Sequence, residues 1–162
     1  MKIICLLLCV IFISSCTVTT PVPKAEVIAI DRQLFVNGHN GEDVRGYFDD
    51  GIGELKASYR DWCDVVISEL HKNFNDIVVR APHRKPLVVQ VKMINGRNTV
   101  AIYGYKVTFV VVIKDDDGFV ETFTGTSGNH WNDIDLAAKE AIKEVVISAM
   151  TSKTLIVRIN KK

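Results

Sequence analysis

Several stretches of this 162-residue chain hold residue types that do chemistry elsewhere. Asp115-Asp116-Asp117-Gly118 offers carboxylates to a cation, but a calcium loop takes oxygen ligands at alternating positions followed by a bidentate acid. Consecutive aspartates before a glycine read instead as a hairpin tip. Gly125-Thr126-Ser127-Gly128-Asn129 resembles a serine elbow, yet Asn129 stands where the second glycine is needed and an antiparallel strand precedes it. It is better read as a glycine-rich connection from strand to helix. The 4 histidines, His39, His71, His83 and His130, lie in separate segments without His-x-x-x-His spacing, so no metal site is expected. His71, beside Lys72, reads as a solvated helix residue. No nucleophile, base and orienting group can be assembled, so the chain is expected to have no catalytic residues, no cofactor and no enzymatic activity.

Other residues suit contact more than reaction. Arg80, Arg84 and Lys85, with His83, could meet phosphate or anionic headgroups, although so short a basic run also suits a solvated surface. Tyr47 and Phe48 stand among acids in the glycine-rich stretch Gly38 to Gly53, which reads as a loop whose aromatics can bury apolar area against a partner. His130 and Trp131, at the mouth of a helix, form a second candidate contact surface, with packing of Trp131 under the sheet edge as the alternative. Lys+Arg 20 against Asp+Glu 19 gives a formal net charge of +1, too weak a field to recruit nucleic acid.

The most specific signal is at the start. Lys2 precedes an unbroken apolar run from Ile3 to Ile13, and Ser14, Ser15 and Cys16 follow. A membrane-spanning helix needs ~20 apolar residues, so this run reads as a signal peptide. Ile13-Ser14-Ser15-Cys16 resembles the lipobox of bacterial lipoproteins. That resemblance implies cleavage before Cys16 and acylation of the cysteine, and the absence of Asp after it, where Thr17 stands, resembles proteins sorted to the outer membrane. Each buried methylene contributes ~0.8 kcal/mol, so several acyl chains anchor firmly where one does so only marginally. Loss of Lys2 with the leader leaves Lys+Arg 19 against Asp+Glu 19. Cys5 and Cys9 leave too, and Cys63 remains without a disulfide partner, read as a small buried residue.

These features imply residues 1–15 as leader, 16–24 as lipidated cysteine and Pro-containing tether, and 25–162 as one domain. Within it, Glu26 to Val36 reads as a strand ended by Asn37-Gly38. Leu55, Tyr59, Trp62, Cys63, Val66, Ile67, Leu70 and Phe74 recur at three- and four-residue steps, predicting an amphipathic helix from Glu54 to Phe74. Ile77 to Val79 could add a short strand. Leu87 to Ile94 alternates with Val89, Val91 and Met93 on one face and Gln90 and Lys92 on the other, Asn95-Gly96 suggests a hairpin turn, and Thr99 to Lys114 is the strongest strand. Asp115 to Gly118 turns the chain into a strand from Phe119 to Thr124. Asn132 or Asp133 can cap a helix whose inward stripe is Ile134, Ala138, Ala141, Ile142, Val145, Val146 and Ala149. Leu155, Val157 and Ile159 alternate in a possible last strand. The expected fold is an α+β two-layer sandwich, order β-α-β-β-β-α with a possible C-terminal β, its mainly antiparallel sheet covered on one face by two helices.

The lipobox, the long strand Tyr103 to Ile113, the Asp117-Gly118 turn, the strand Phe119 to Thr126 and the Ala-rich helix Asp135 to Met150 together resemble small envelope lipoproteins of the YajG type, and the layout is similar to LptE-type lipoproteins. The resemblance implies an accessory or assembly subunit of an envelope complex, tethered to the membrane through Cys16 and touching an envelope protein partner from the periplasmic side. The alternative is a binding protein for lipid or another small ligand held between sheet and helices. Only Cys16 carries over as a functional residue.

Overall fold

A computed structural model describes residues 34–39, 45–47, 54–56, 58–79, 85–99, 104–131 and 133–160. The leader, Cys16, the tether, Phe48, Arg80 and Arg84 lie outside the described residues. The elements are β1 (Phe35–Asn37), β2 (Arg45–Tyr47), β3 (Glu54–Lys56), α1 (Tyr59–Val79), β4 (Leu87–Thr99), β5 (Gly104–Lys114), β6 (Val120–Thr126), β7 (His130–Trp131), α2 (Ile134–Thr151) and α3 (Lys153–Asn160). The fold is α+β, as expected. Its main sheet runs β1-β4-β5-β6, with β7 pairing β5 beyond the end of β6. β1 lies parallel to β4, so the sheet is mixed, and β2 pairs β3 in a separate antiparallel ribbon.

The centre is built from β-branched alternation. Val107, Phe109, Val111 and Ile113 of β5 point to one face and are buried, whereas Val110 and Val112 on the other face are only half-buried. Both α1 and α2 cover the first face. Trp62 of α1 packs edge-on to Phe109 with ring centroids 5.4 Å apart, and α2 crosses Gly125 of β6, which pairs directly opposite Phe109. The apolar stripe of α2 is the expected one with Ala137 added.

Several boundaries differ from the sequence reading, each for a local physical reason. Ser58 caps α1, its Oγ accepting from the N–H of Asp61 at 3.2 Å, so the helix begins at Tyr59 and Glu54–Lys56 is strand. The glycine-rich stretch is thus not all loop, since Tyr47 sits in the β2–β3 ribbon. Helix α1 runs through Asn73, Asn75 and Asp76 to Val79, and no strand forms at Ile77 to Val79. Asn95 and Gly96 do not turn the chain: they pair with Thr108 and Val107 inside a 13-residue β4. A bulge between Val91 and Met93 shifts the phase, turning Met93 outward at 40% exposure and Ile94 inward. The last segment is helix α3, with Leu155 and Ile159 one turn apart on its buried side and Val157 turned outward.

Candidate functional site

The hairpin tip is a structural lock. Asp115 Oδ1 accepts from the N–H of Asp117 at 2.9 Å and of Phe119 at 3.0 Å, closing the β5–β6 turn around Gly118, whose φ is +89°. Arg158 reaches back from α3, its Nε donating to Asp115 Oδ2 and its Nη2 to Asp117 Oδ2 at 2.7 Å. Ser152 and Thr154 both donate to Glu121 Oε1, at 2.6 and 3.0 Å. Together these bonds dock α3 on the hairpin. Burial alone would raise the Asp115 carboxyl, but the N–H of Phe119, the Arg158 guanidinium and the N–H of Asp117 outweigh it and hold it below its ordinary value.

A depressed carboxylate stabilises the fold above its ordinary pKa of 3.8, and that stability is lost as pH falls through the lower folded value. Arg158→Gln removes one of the groups responsible. Its acid-unfolding limb is expected at higher pH than the wild type's, read from urea midpoints taken on descending pH. Superimposable limbs would show that the guanidinium does not hold Asp115.

The segment joining β6 to α2 is organised by Glu140. Its Oε2 accepts from the N–H of Gly128 at 2.8 Å and lies 2.5 Å from His130 Nε2. The bond with His130 and then that with Gly128 lower the Glu140 carboxyl. Asp133, its Oδ1 accepting from the N–H of Leu136 at 2.8 Å, caps α2. His130 is half-buried and tied down, whereas Trp131 is 62% exposed, so it does not pack under the sheet edge as the alternative reading supposed. Leu136, Ile147 and Met150 are exposed along α2. This is the apolar surface nearest to a built recognition site: an exposed aromatic on a short strand, beside a helix whose outer side is partly apolar.

The other predicted residues do not join it. Tyr47 lies in β2, Phe48 outside the described residues. Of the basic set only Lys85 is described, and its ammonium stands 3.6 Å from Asp117 Oδ1, so part of its charge is already answered within the chain. Cys63 is fully buried and donates to Val89 O at 3.1 Å. Burial pushes its thiol up to about 12, which leaves it protonated and a poor nucleophile.

His71 corrects the sequence reading most sharply. It is 4% exposed rather than solvated, and its Nε2 accepts from the N–H of Phe35 at 3.1 Å. A signal was present: His71 follows Ile67 by four residues and precedes Phe74 by three, which places it on the buried stripe. The pairings of Arg158 with Asp115 and of Glu140 with His130 had no such local signal.

A scan against protein-family models finds none that matches, and searches of curated proteins and of solved structures find no match. Among the described residues no helix is long and apolar enough to cross a membrane.

Proposed function

We propose that this chain is a lipid-anchored protein of the bacterial envelope, held to the outer membrane through acylated Cys16, whose periplasmic domain is a non-enzymatic accessory or assembly subunit of an envelope complex. The observation that carries the reading is the residue sequence of the leader: Lys2, the apolar run Ile3 to Ile13, then Ser14-Ser15-Cys16. The exposed Trp131 and Leu136 support a recognition surface on the domain. Tryptophan recurs among the few interface residues that carry most binding energy, and its loss there typically costs about 2 kcal/mol or more, roughly 30-fold in affinity.

Photocrosslinking in the native cell from position 136 tests this. One discrete protein adduct is expected, reduced roughly 30-fold in apparent affinity by Trp131→Ala, while the urea midpoint of the purified variant stays near that of the wild type. An adduct of undiminished yield in the variant, or no adduct from this surface, would overturn the role of Trp131.

A second reading has one observation in its favour. Trp62, 1% exposed, buries its indole N–H without an acceptor among the described residues. An orphaned buried donor costs about 1–3 kcal/mol, which a ligand carrying an acceptor would offset. The layer between sheet and helices is nevertheless occupied by Trp62, Phe109, Leu70 and Val145, all almost fully buried, which favours the accessory subunit. Lipid retained through native mass measurement after removal of the anchor would favour the carrier.

A further inference from the structure

Among the described residues the main sheet has an edge at β1, and an imidazole caps an outward backbone donor there. The bonds Leu87 N–H to Leu34 O and Gly38 N–H to Val89 O turn Leu34 and Gly38 toward β4, so by strand alternation the N–H of Phe35 faces away from the sheet. That outward donor is the one His71 Nε2 accepts. By the same alternation the N–H of Asn37 also faces away, and beyond the end of β1 the N–H of Val91 of β4 is taken by His39 Nε2 at 3.1 Å. To accept there, the His71 ring carries its lone pair on Nε2 and its proton on Nδ1; an imidazolium, with a hydrogen on both nitrogens, cannot accept that amide.

We propose that His71 is a proton-released cap: acidification strips the Phe35 N–H of its acceptor and frees the edge formed by β1. The surroundings are suited to this. His71 meets the Phe35 ring at 5.5 Å, and Phe35 in turn meets Phe74, with no charged group from β1 facing it. On its own helix, exposed Lys72 and half-buried Glu69 pair with each other at 2.8 Å. His39 lies against Tyr59 of α1, and Asn37 Nδ2 donates beside it to Asp64 Oδ1 at 2.6 Å, so Asp64 is the acid facing this segment. Cys63, buried and protonated, lies behind Gly38 and Val91, and Gln90 of β4 contributes a neutral amide to Gly38 O at 2.9 Å.

Burial lowers His71 below its ordinary 6.5. The neutral ring therefore stabilises the closed edge fully above 6.5, and the closed form weakens as pH falls below it, because the opened form binds the proton more readily. Each pH unit below 6.5 favours opening by up to about tenfold until the closed form titrates too.

Native-state amide hydrogen exchange on the full chain in detergent micelles, corrected for intrinsic rates, tests the proposal. Between about pH 7.5 and 4.5 the protection of Phe35 is expected to fall about tenfold or more, while Phe109 and Val111 of β5 keep theirs. In His71→Gln, whose side-chain carbonyl accepts at any pH, the response is expected to vanish. Because His71 is buried, the wild-type profile decides by itself as well: constant protection at Phe35 or an equal loss across β5 would overturn the proposal, as would an unchanged response in the glutamine variant.

Discussion

Gly125→Ala is expected to destabilise the domain by about 3 kcal/mol or more, at the upper end of overpacking costs. A Cβ built on Gly125 would stand 2.0 Å from Ala141 O, 2.7 Å from Val145 N and 2.9 Å from Val145 Cγ2. Two of those atoms are backbone, so no side chain can rotate away. Relief requires α2 to lift from β6, and with it the buried Ala137, Ala138, Ala141, Ile142, Val145 and Val146. Two glycines calibrate the effect. Gly118 has φ +89° but nothing within 4 Å, so alanine there meets backbone strain alone, about 1 kcal/mol. At Gly128 the nearest atom is Glu140 Oε2 at 3.6 Å, an ordinary contact, and alanine should be nearly neutral. Urea unfolding of the three variants should rank them in that order. A Gly125→Ala protein within about 0.5 kcal/mol of wild type would mean that α2 does not press on β6 at this point.

Cys16→Ser is expected to have the largest effect in the cell. Without the thiol no thioether to a diacylglyceryl group can form, and the leader Met1 to Ser15 should remain attached. Each methylene buried in a bilayer contributes ~0.8 kcal/mol, so losing several acyl chains removes far more than the whole affinity conferred by one. The expected product is a heavier, unacylated precursor in place of the mature form, seen by intact mass and by loss of acyl label. The domain's own unfolding midpoint should be unchanged. A serine variant that is still cleaved after Ser15 and still retained by membranes would contradict the anchoring role.

The fold was legible where periodicity and burial agree. The strongest strand, in which Val107, Phe109, Val111 and Ile113 alternate, and the helical stripe of α2 both form, because each pattern can bury only one face. The errors arose where a local signal met a longer-range constraint. Asn95-Gly96 has the composition of a hairpin turn, yet pairing with Thr108 and Val107 keeps it in β4. The Val91–Met93 bulge then inverts the alternation, which is why Ile94 is buried and Met93 is not. At the C-terminus, Leu155, Val157 and Ile159 fit a strand, but Leu155 and Ile159 also stand a helical turn apart. Ser152, whose Oγ accepts from the N–H of Leu155 at 3.1 Å, decides for the helix. Ser58 before α1 and Ser152 before α3 were cap signals that the apolar pattern obscured.

The candidate sites were less legible, for a different reason. Trp131 could be placed at the mouth of α2 from sequence, but its exposure depends on where β7 meets β5, a long-range pairing. The cap at His71 depends on β1 lying parallel to β4, and a three-residue strand leaves almost no pattern to read. Arg158 meets Asp115 across 43 residues of chain, and nothing local marks either as the other's partner.

Intact mass of the protein extracted from native membranes tests the central claim most directly. Lipid anchoring predicts a chain that begins at Cys16, heavier than the polypeptide 16–162 by a diacylglyceryl group and a further acyl chain. A chain that begins at Met1 with no mass added at Cys16, recovered without detergent, would contradict it.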